Sequence, residues 1–283
     1  MAARRHAVAL AGWLALVAGA AAAGQATGNA PIARVRDQVV AFFGRMSDLT
    51  CTETVVQQKL WANGHVGTTE QSRYDYLIMV QASRDDFSLN ESRIESGDAP
   101  HKQLPMLVTN GFSMLLLVFH PYYEQSFRLT PAPEERVDGS LLLPVHFDHV
   151  PGTRSPAALS LQGREYPLDL AGTAWIDPQS GQVVRMDASL GRDMSDLGLR
   201  SLHIHVEYKP TTVRSAAGLY LPDRAVIDLE TRQQHWRNIH SFSNYKSFST
   251  AAEQDTTVKV IATEPGPKDT TPPRSSTPHQ EER

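Results

Sequence analysis

The stretch that decides the fold is Leu-Arg-Ser-Leu-His-Ile-His-Val-Glu-Tyr at residues 199–208. Apolar and polar side chains alternate along it, which is the period of a β-strand whose two faces meet different surroundings. The apolar face holds Leu202, Ile204, Val206 and Tyr208, and the polar face holds Ser201, His203, His205 and Glu207. The stretch therefore predicts a strand of an antiparallel sheet that is dry on one face and wet on the other.

The same alternation continues on both sides of this strand. Residues 219–230 place Ala225, Ile227 and Leu229 on one face. Other segments rich in β-branched and aromatic residues are 51–61, 69–81, 122–129, 140–150, 159–167, 172–177, 183–190 and 236–248. Because helices do not alternate with these segments, they predict a large antiparallel sheet and not a parallel one.

Two segments have a different character and are expected to cover the dry face. Apolar side chains recur every three or four residues near the start of the chain, which predicts an amphipathic helix beginning near Pro31. These side chains are Ile32, Val35, Val39, Phe42, Phe43 and Met46. Residues 114–119 form a continuous apolar run, which is typical of either a buried helix or a buried strand. We prefer a short helix starting near residue 110.

The two ends of the chain differ from its middle. Residues 1–23 join a basic start to a short uncharged apolar run ending in alanines, which is typical of a secretory signal peptide cleaved near Ala23. A retained membrane anchor is the alternative. Residues 264–283 hold five prolines and no aliphatic or aromatic side chain, so they predict a disordered tail. Between a linker at 24–30 and this tail, residues 31–263 predict a single domain.

Charge and cysteine content narrow the class of protein. The 283 residues carry a formal charge of −4, and removing residues 1–23 takes away two of the 27 basic residues and none of the 31 acidic ones. The exported chain then has a charge of −6, which argues against nucleic acid as a partner. Since Cys51 is the single cysteine, an internal disulfide is excluded. We expect a periplasmic or otherwise exported monomer without a stable membrane span.

Short motifs along residues 32–248 resemble a known superfamily. They are Ser47-Asp-Leu-Thr-Cys-Thr-Glu-Thr54, Val108-Thr-Asn-Gly-Phe112, Trp175-Ile-Asp-Pro178 and Phe242-Ser-Asn-Tyr-Lys-Ser-Phe248. Their order is similar to that of the periplasmic lipoprotein-carrier and sorting superfamily (LolA-like). The resemblance implies an incomplete antiparallel β-barrel, or half-barrel, whose helices cover an apolar concave face. It also implies binding of an acyl chain or a lipidated partner, and it supplies no catalytic residue.

An exported, non-enzymatic binding or carrier protein that acts in envelope lipoprotein traffic or sensing is therefore the preferred hypothesis for function. The side chains expected to line the apolar ligand are Leu202, Ile204, Val206, Ile227, Leu229, Phe42 and Met114. The alternative is that these side chains form an ordinary packed core. The two interpretations differ in whether Ile204 and Ile227 border a void.

The histidines suggest a second hypothesis, an exported metal-dependent enzyme or metal-binding protein. His203, His205 and Glu207 share the polar face of one strand, and two imidazoles with a carboxylate form a ligand set that zinc or iron accepts. The alternative for these residues is a solvated strand face. His146 and His149 are three apart in a strand and so point to opposite faces. No phosphate-binding, dinucleotide or nucleophile-elbow motif is present, and no cofactor is predicted.

Overall fold

The computed structural model describes residues 18–82, 87–95, 113–161 and 164–247. Helix α1 is Ala18–Met46, and two consecutive 3₁₀ helices, here called the 3₁₀ pair, are Ser113–Phe119 and Pro121–Ser126. The strands are β1 (Leu49–Leu60), β2 (Val66–Ala82), β3 (Phe87–Glu95), β4 (Phe127–Pro131), β5 (Glu135–Val137), β6 (Ser140–His149), β7 (Ala158–Leu161), β8 (Arg164–Pro167), β9 (Leu170–Ile176), β10 (Val183–Leu190), β11 (Leu199–Pro210), β12 (Tyr220–Thr231) and β13 (His235–Ser247). Single 3₁₀ turns lie at Ser195–Leu197 and Arg214–Ala216.

Most strands belong to one antiparallel sheet. Its order is β3-β2-β1-β13-β12-β11-β10-β9-β6-β4, β5 pairs with β6, and β7 and β8 form a separate hairpin. Within the described residues, β3 and β4 end the order without pairing to each other, so the sheet is open. The prediction of a mainly β chain with an open half-barrel is therefore confirmed.

The alternation at residues 199–208 places side chains as predicted. Val206 and Tyr208 are buried, whereas His203 is exposed. The register between β11 and β12 sets Ile204 opposite Ile227 and Leu202 opposite Leu229, so apolar side chains of both strands share one face. These cross-strand pairs are the units that stabilise a sheet, and they fix which face is dry.

The dry face is covered by the two elements predicted for that role. The apolar stripe of α1 is buried in the same core as the sheet, and so are the apolar residues of the first 3₁₀ helix. The stripe is Val35, Val39, Phe42, Phe43 and Met46, and the 3₁₀ residues are Leu115, Leu116, Leu117, Val118 and Phe119.

Helix α1 begins earlier than predicted. It starts at Ala18 and continues through Pro31, which lies inside the helix. The alanine-rich sequence before Pro31 has a high intrinsic helix propensity, so the helix extends ahead of the proline that was expected in its first turn. Residues 1–17 and the predicted tail at 264–283 lie outside the described residues, so the cleavage site, the tail and the domain limits stay predictions.

Some strand predictions are wrong in detail. The predicted strand at 122–129 begins instead as the second 3₁₀ helix, because Pro121 occupies its first turn and the His120 side chain accepts a hydrogen bond from the Tyr122 amide. The predicted strand at 159–167 is the β7–β8 hairpin. Strands β3 and β5 were not predicted at all, and β3 carries two of the charged residues discussed below.

Truncation of Phe42 tests the cover of the dry face. The ring is 2% exposed within the core, so Phe42→Ala should lower the free energy of unfolding by about 3–5 kcal/mol. Val40→Ala is the matched control, since Val40 is 46% exposed on the same helix, and it should change that free energy by less than about 0.5 kcal/mol. Urea denaturation measures both. Equal effects of the two substitutions would show that α1 does not pack as described.

Candidate functional site

The side chains predicted to line an apolar ligand lie in the packed core. Those of Leu202, Val206, Ile227, Leu229 and Phe42 are buried there, and that of Ile204 is partly buried against the same cluster. Met114 belongs to the first 3₁₀ helix, but its side chain is outside the described set. Ile227 is only 3% exposed, whereas Ile204 has intermediate exposure and packs against the same cluster.

Polar side chains connect α1 to the sheet, and we call the hydrogen-bonded pair at this contact the Gln38–Gln182 latch. The amide of Gln182, which is 5% exposed, donates to the Gln38 side chain at 2.6 Å and to the Gly218 carbonyl at 2.7 Å. Its oxygen accepts from the Tyr220 amide at 3.2 Å. Arg34 donates to the carbonyls of Pro178 and Gln179 in the turn before Gln182. The helix is therefore attached partly by groups that could bond water equally well.

The contact between α1 and the sheet encloses little free volume. A cavity of about 10 Å³ lies between α1, the first 3₁₀ helix and β10. Its walls include Val39 and Phe42 from α1 and Leu116 from the 3₁₀ helix. Such a volume is about that of one water-sized sphere, so the cover is closed over the apolar face.

A larger cavity lies beside the end of β11, the start of β12 and the last residues of β13. Its volume is about 360 Å³, within the range usual for ligand pockets. The lining residues are Lys209, Pro210, Thr211, Thr212, Val213, Leu221, Pro222, Asp223, Phe242, Asn244 and Tyr245. We call this space the β11–β13 cavity.

A bulge in the sheet lies at this cavity. The pairing of β1 with β13 shifts register between Thr50 and Thr52, opposite a segment of β13 that contains Asn244. Asn244 has a φ of +55°, in the left-handed region. An extra residue in one strand bends that strand and increases its twist. The Tyr245 hydroxyl spans the bend by donating to the Pro222 carbonyl at 2.7 Å, and this contact ties β13 to β12.

The β11–β13 cavity is amphipathic. Leu221 and Phe242 are 2% and 6% exposed and belong to the main core cluster, so its apolar wall is the edge of that core. Lys209 and Asp223 form an ion pair at 2.7 Å among its lining residues, with side chains 65% and 33% exposed. An apolar wall beside a wet ion pair is the environment that an amphiphilic molecule needs.

A buried charge cluster lies on the same face of the sheet, on β1, β3 and β13. The Glu53 carboxylate is fully buried. Arg93 donates two hydrogen bonds to it, one from Nη2 to Oε1 at 2.9 Å and one from Nε to Oε2. His240 lies 2.7 Å from Oε1 through Nδ1 and donates there, because a carboxylate only accepts. Arg93 also pairs with Glu91 at 3.4 Å. The cluster ties three strands together.

Burial and pairing set the protonation of this cluster. Burial alone would raise the pKa of Glu53, but the hydrogen bonds from His240 and Arg93 outweigh it and hold that pKa below its ordinary value. Burial lowers the pKa of His240 against the opposing effect of Glu53. Burial likewise raises the pKa of the nearby Cys51 thiol to about 12. The resting state is therefore a carboxylate, a neutral imidazole and a neutral thiol, which suits a structural role more than a reactive one.

The sequence held a signal for this cluster. Glu53 shares its strand face with Cys51 and Val55, and His240 shares its face with Phe242, so each is a titratable residue at a position that faces the core. Such positions are rarely occupied by unpaired charges. The partner Arg93 could not be found, because β3 was not predicted.

The predicted metal residues lie on the outer face. His203 is exposed, and His205 is held by two carboxylates, with Nδ1 bonded to Asp187 and Nε2 lying 3.1 Å from Glu207. Asp187 was not predicted, and it reaches His205 because β10 pairs with β11 at that position. Over the described ranges, no group of three or more His, Cys, Asp or Glu side chains is arranged to hold a metal ion.

A second buried histidine, His149, lies between a carboxylate and a hydroxyl, as in a catalytic triad, but it cannot act as a base toward that hydroxyl. His149 Nδ1 lies 2.8 Å from Asp169, and Nε2 lies 3.3 Å from the Thr153 hydroxyl and 3.0 Å from the Arg154 carbonyl. The carbonyl requires Nε2 to donate, and the Thr153 hydroxyl donates to the Val150 carbonyl at 2.6 Å. His149 therefore cannot accept a proton from Thr153 in this geometry and instead anchors the loop that follows β6.

Comparison with known proteins bears on the fold. No family model and no curated protein matches the chain. Among solved structures, it is similar to a DUF1329 family protein from Desulfovibrio piger ATCC 29098, with 11% identity, a TM-score of 0.41, and coverage of 80% of this chain and 95% of that one. It is also similar to a putative outer membrane lipoprotein-sorting protein domain from Vibrio parahaemolyticus, with 10% identity, a TM-score of 0.34, and coverage of 78% and 95%.

None of the helices in the described part of the chain combines the length and the apolar character that a membrane span requires.

Acidification tests the protonation of the charge cluster. The pKa values of His240 and Glu53 in the native protein lie below their ordinary values of 6.5 and 4.5. The unfolded chain therefore binds a proton first at each group, and the free energy of unfolding should fall below about pH 6.5 and fall further below about pH 4.5. Urea denaturation at a series of pH values measures this.

A pair of variants assigns the first part of that fall. His240→Gln keeps a donor toward Glu53 and removes the titration, so the slope of stability between pH 6.5 and 5 should decrease. His65→Gln changes an exposed histidine and should leave the slope as it is. The assignment is wrong if both variants keep the wild-type slope.

Proposed function

We propose that this chain is an exported, non-enzymatic binding or carrier protein for an acyl chain or a lipidated partner. The observation that carries the proposal is the β11–β13 cavity, which has an apolar wall continuous with the core and an ion pair open to water. The export signal predicted at residues 1–23 supports action outside the cytoplasm.

The apolar wall supplies the driving force for binding. Leu221 and Phe242 line the cavity but are nearly buried in the core cluster, so a chain that enters the cavity contacts only the small part of them that is accessible. Each methylene buried in this way contributes about 0.8 kcal/mol. Because association costs about 4–15 kcal/mol, measurable affinity requires the burial of on the order of ten methylenes, which is the length of an acyl chain.

The polar lining suits the head of such a ligand. Lys209 and Asp223 oppose each other at 2.7 Å, and Thr211, Thr212 and Asn244 supply neutral polar groups. Because the ion pair has no net charge, it accommodates a zwitterionic or hydrogen-bonding head, such as the glycerol or peptide portion of a lipidated chain, without a charge penalty.

A longer acyl chain would reach the predicted lining residues only if the cover moves. The apolar face under α1 is filled by side chains of the protein, so the cover is closed in this structure. The Gln38–Gln182 latch and the Arg34 contacts exchange for water when the helix shifts, so they add little to the cost of opening, and the ligand must replace the apolar contacts of the helix stripe. Ile204 and Ile227 would then meet the ligand in place of Phe42 and its neighbours.

Native mass spectrometry tests the proposal on protein exported to a bacterial periplasm and purified without detergent. We expect a bound acyl-containing species, and we expect the stripped protein to bind one equivalent of a fluorescent fatty acid. Val213→Trp should weaken binding of that probe at least tenfold, because an indole at this lining position fills the cavity.

The matched control is Leu141→Trp, which adds the same ring at a residue that is 48% exposed and is not among those lining the cavity. It should bind the probe like wild type. The proposal fails if the wild-type protein neither carries an acyl species nor binds the probe, or if the two tryptophan variants bind it equally.

A further inference from the structure

Two hairpins lie side by side at one end of the sheet. β1 pairs with β13 so that Lys59 is opposite Trp236 and Leu60 is opposite His235. The turn joining β1 to β2 is therefore beside the turn joining β12 to β13. We call residues 59–66 and 231–237 together the hairpin tip.

The hairpin tip exposes large apolar side chains that are held in place. Trp61 is 61% exposed and Val66 is 49% exposed. The Trp61 amide donates to the His65 carbonyl at 2.9 Å, and the Gly64 amide donates to the Trp61 carbonyl at 2.8 Å. The Trp61 indole lies so close to Gly67 that a Cβ there would come within 2.6 Å of it. The indole is therefore presented to solvent in a fixed position.

The charge of the hairpin tip is opposite to that of the whole protein. Neither residues 54–69 nor residues 231–249 contain an Asp or a Glu, although the chain has a formal charge of −4. Lys59 and Arg232 are cations of the tip, and Lys59 lies 5.6 Å from the Trp236 ring. A third cation, Arg237, is paired with Asp228 of β12 at 2.8 Å.

Acidic residues are found next to the hairpin tip but not within it. Asp193 and Asp196 lie in the connection between β10 and β11, and Arg232 reaches that connection by donating to the Ser195 carbonyl at 2.8 Å. Glu230 pairs with Arg200 at 3.4 Å. The basic character is thus confined to the two hairpins that also carry the exposed tryptophan.

We propose that the hairpin tip docks on the surface of an anionic lipid bilayer. Tryptophan prefers the membrane–water interface, because its body is apolar and its N–H hydrogen-bonds to headgroups or water. Lysine and arginine beside it attract anionic headgroups, and missing carboxylates remove the opposing repulsion. Contact of Trp61 with Gly67 explains the direction of the ring but not its exposure or the lack of acidic residues within the hairpin tip. This inference is independent of what the β11–β13 cavity holds.

Sedimentation with vesicles tests the docking. The purified protein is mixed with vesicles of phosphatidylethanolamine and phosphatidylglycerol (3:1) and, separately, with vesicles of phosphatidylcholine. We expect wild type to bind the anionic vesicles more strongly and to be released as NaCl is raised, because the headgroup attraction is screened. Trp61→Ala should lower the partition coefficient about tenfold. Lys59→Gln and Arg232→Gln should each lower it about fivefold.

Matched controls lie elsewhere on the sheet. Ile94→Ala removes an apolar side chain that is 66% exposed on β3, and Arg128→Gln removes an exposed cation on β4. Both should bind vesicles like wild type, and thermal unfolding should show that all variants are folded. The proposal is overturned if wild type binds no lipid vesicle, if it prefers neither lipid, or if tip and control variants bind alike. Binding to protein-containing outer-membrane fragments but not to pure lipid would also overturn it, since the partner would then be a protein.

Discussion

The dry face of the open sheet is the constraint on which the rest of the structure depends. A closed barrel packs its inner face against itself, whereas an open sheet leaves apolar side chains such as Val206 and Ile227 to be covered by something else. At about 25 cal/mol for each Å² of apolar surface, water cannot serve as that cover. The stripe of α1 and the 3₁₀ pair meet this need, and the closed state described here follows from it.

The same face of the sheet also carries buried charged and polar side chains, and these affect how firmly α1 is held against it. Glu53, Arg93 and His240 are buried at the β1–β3–β13 end, where removing two charges from water must be offset by their mutual contacts. Gln182 places a further polar group under α1, fully hydrogen-bonded. Because water can replace the hydrogen bonds of Gln182 when α1 shifts, these bonds add little to the cost of opening, and the burial of the apolar stripe sets most of that cost. This is the physical basis for regarding α1 as a cover that moves.

Periodicity made much of this architecture predictable from the sequence. The alternation at residues 199–208 and the spacing of Val35, Val39 and Phe42 each report a face directly. Strand β3 was missed because Glu91 and Arg93 occupy positions that the polar pattern assigns to solvent, and their burial depends on Glu53, some forty residues away. The β11–β13 cavity was missed because it lies at a register shift opposite the Asn244 segment, which no local pattern encodes.

Native-state hydrogen exchange of α1 tests the central claim, that this helix is a cover and not a fixed part of the core. If it is a cover, the amides of residues 32–46 exchange through an opening that exposes little surface and needs less free energy than exchange in β11 and β12. Addition of an acyl ligand then changes exchange in α1 and leaves those strands unaltered. If α1, β11 and β12 all exchange only through one global unfolding, with or without the ligand, the helix does not open and the account is contradicted.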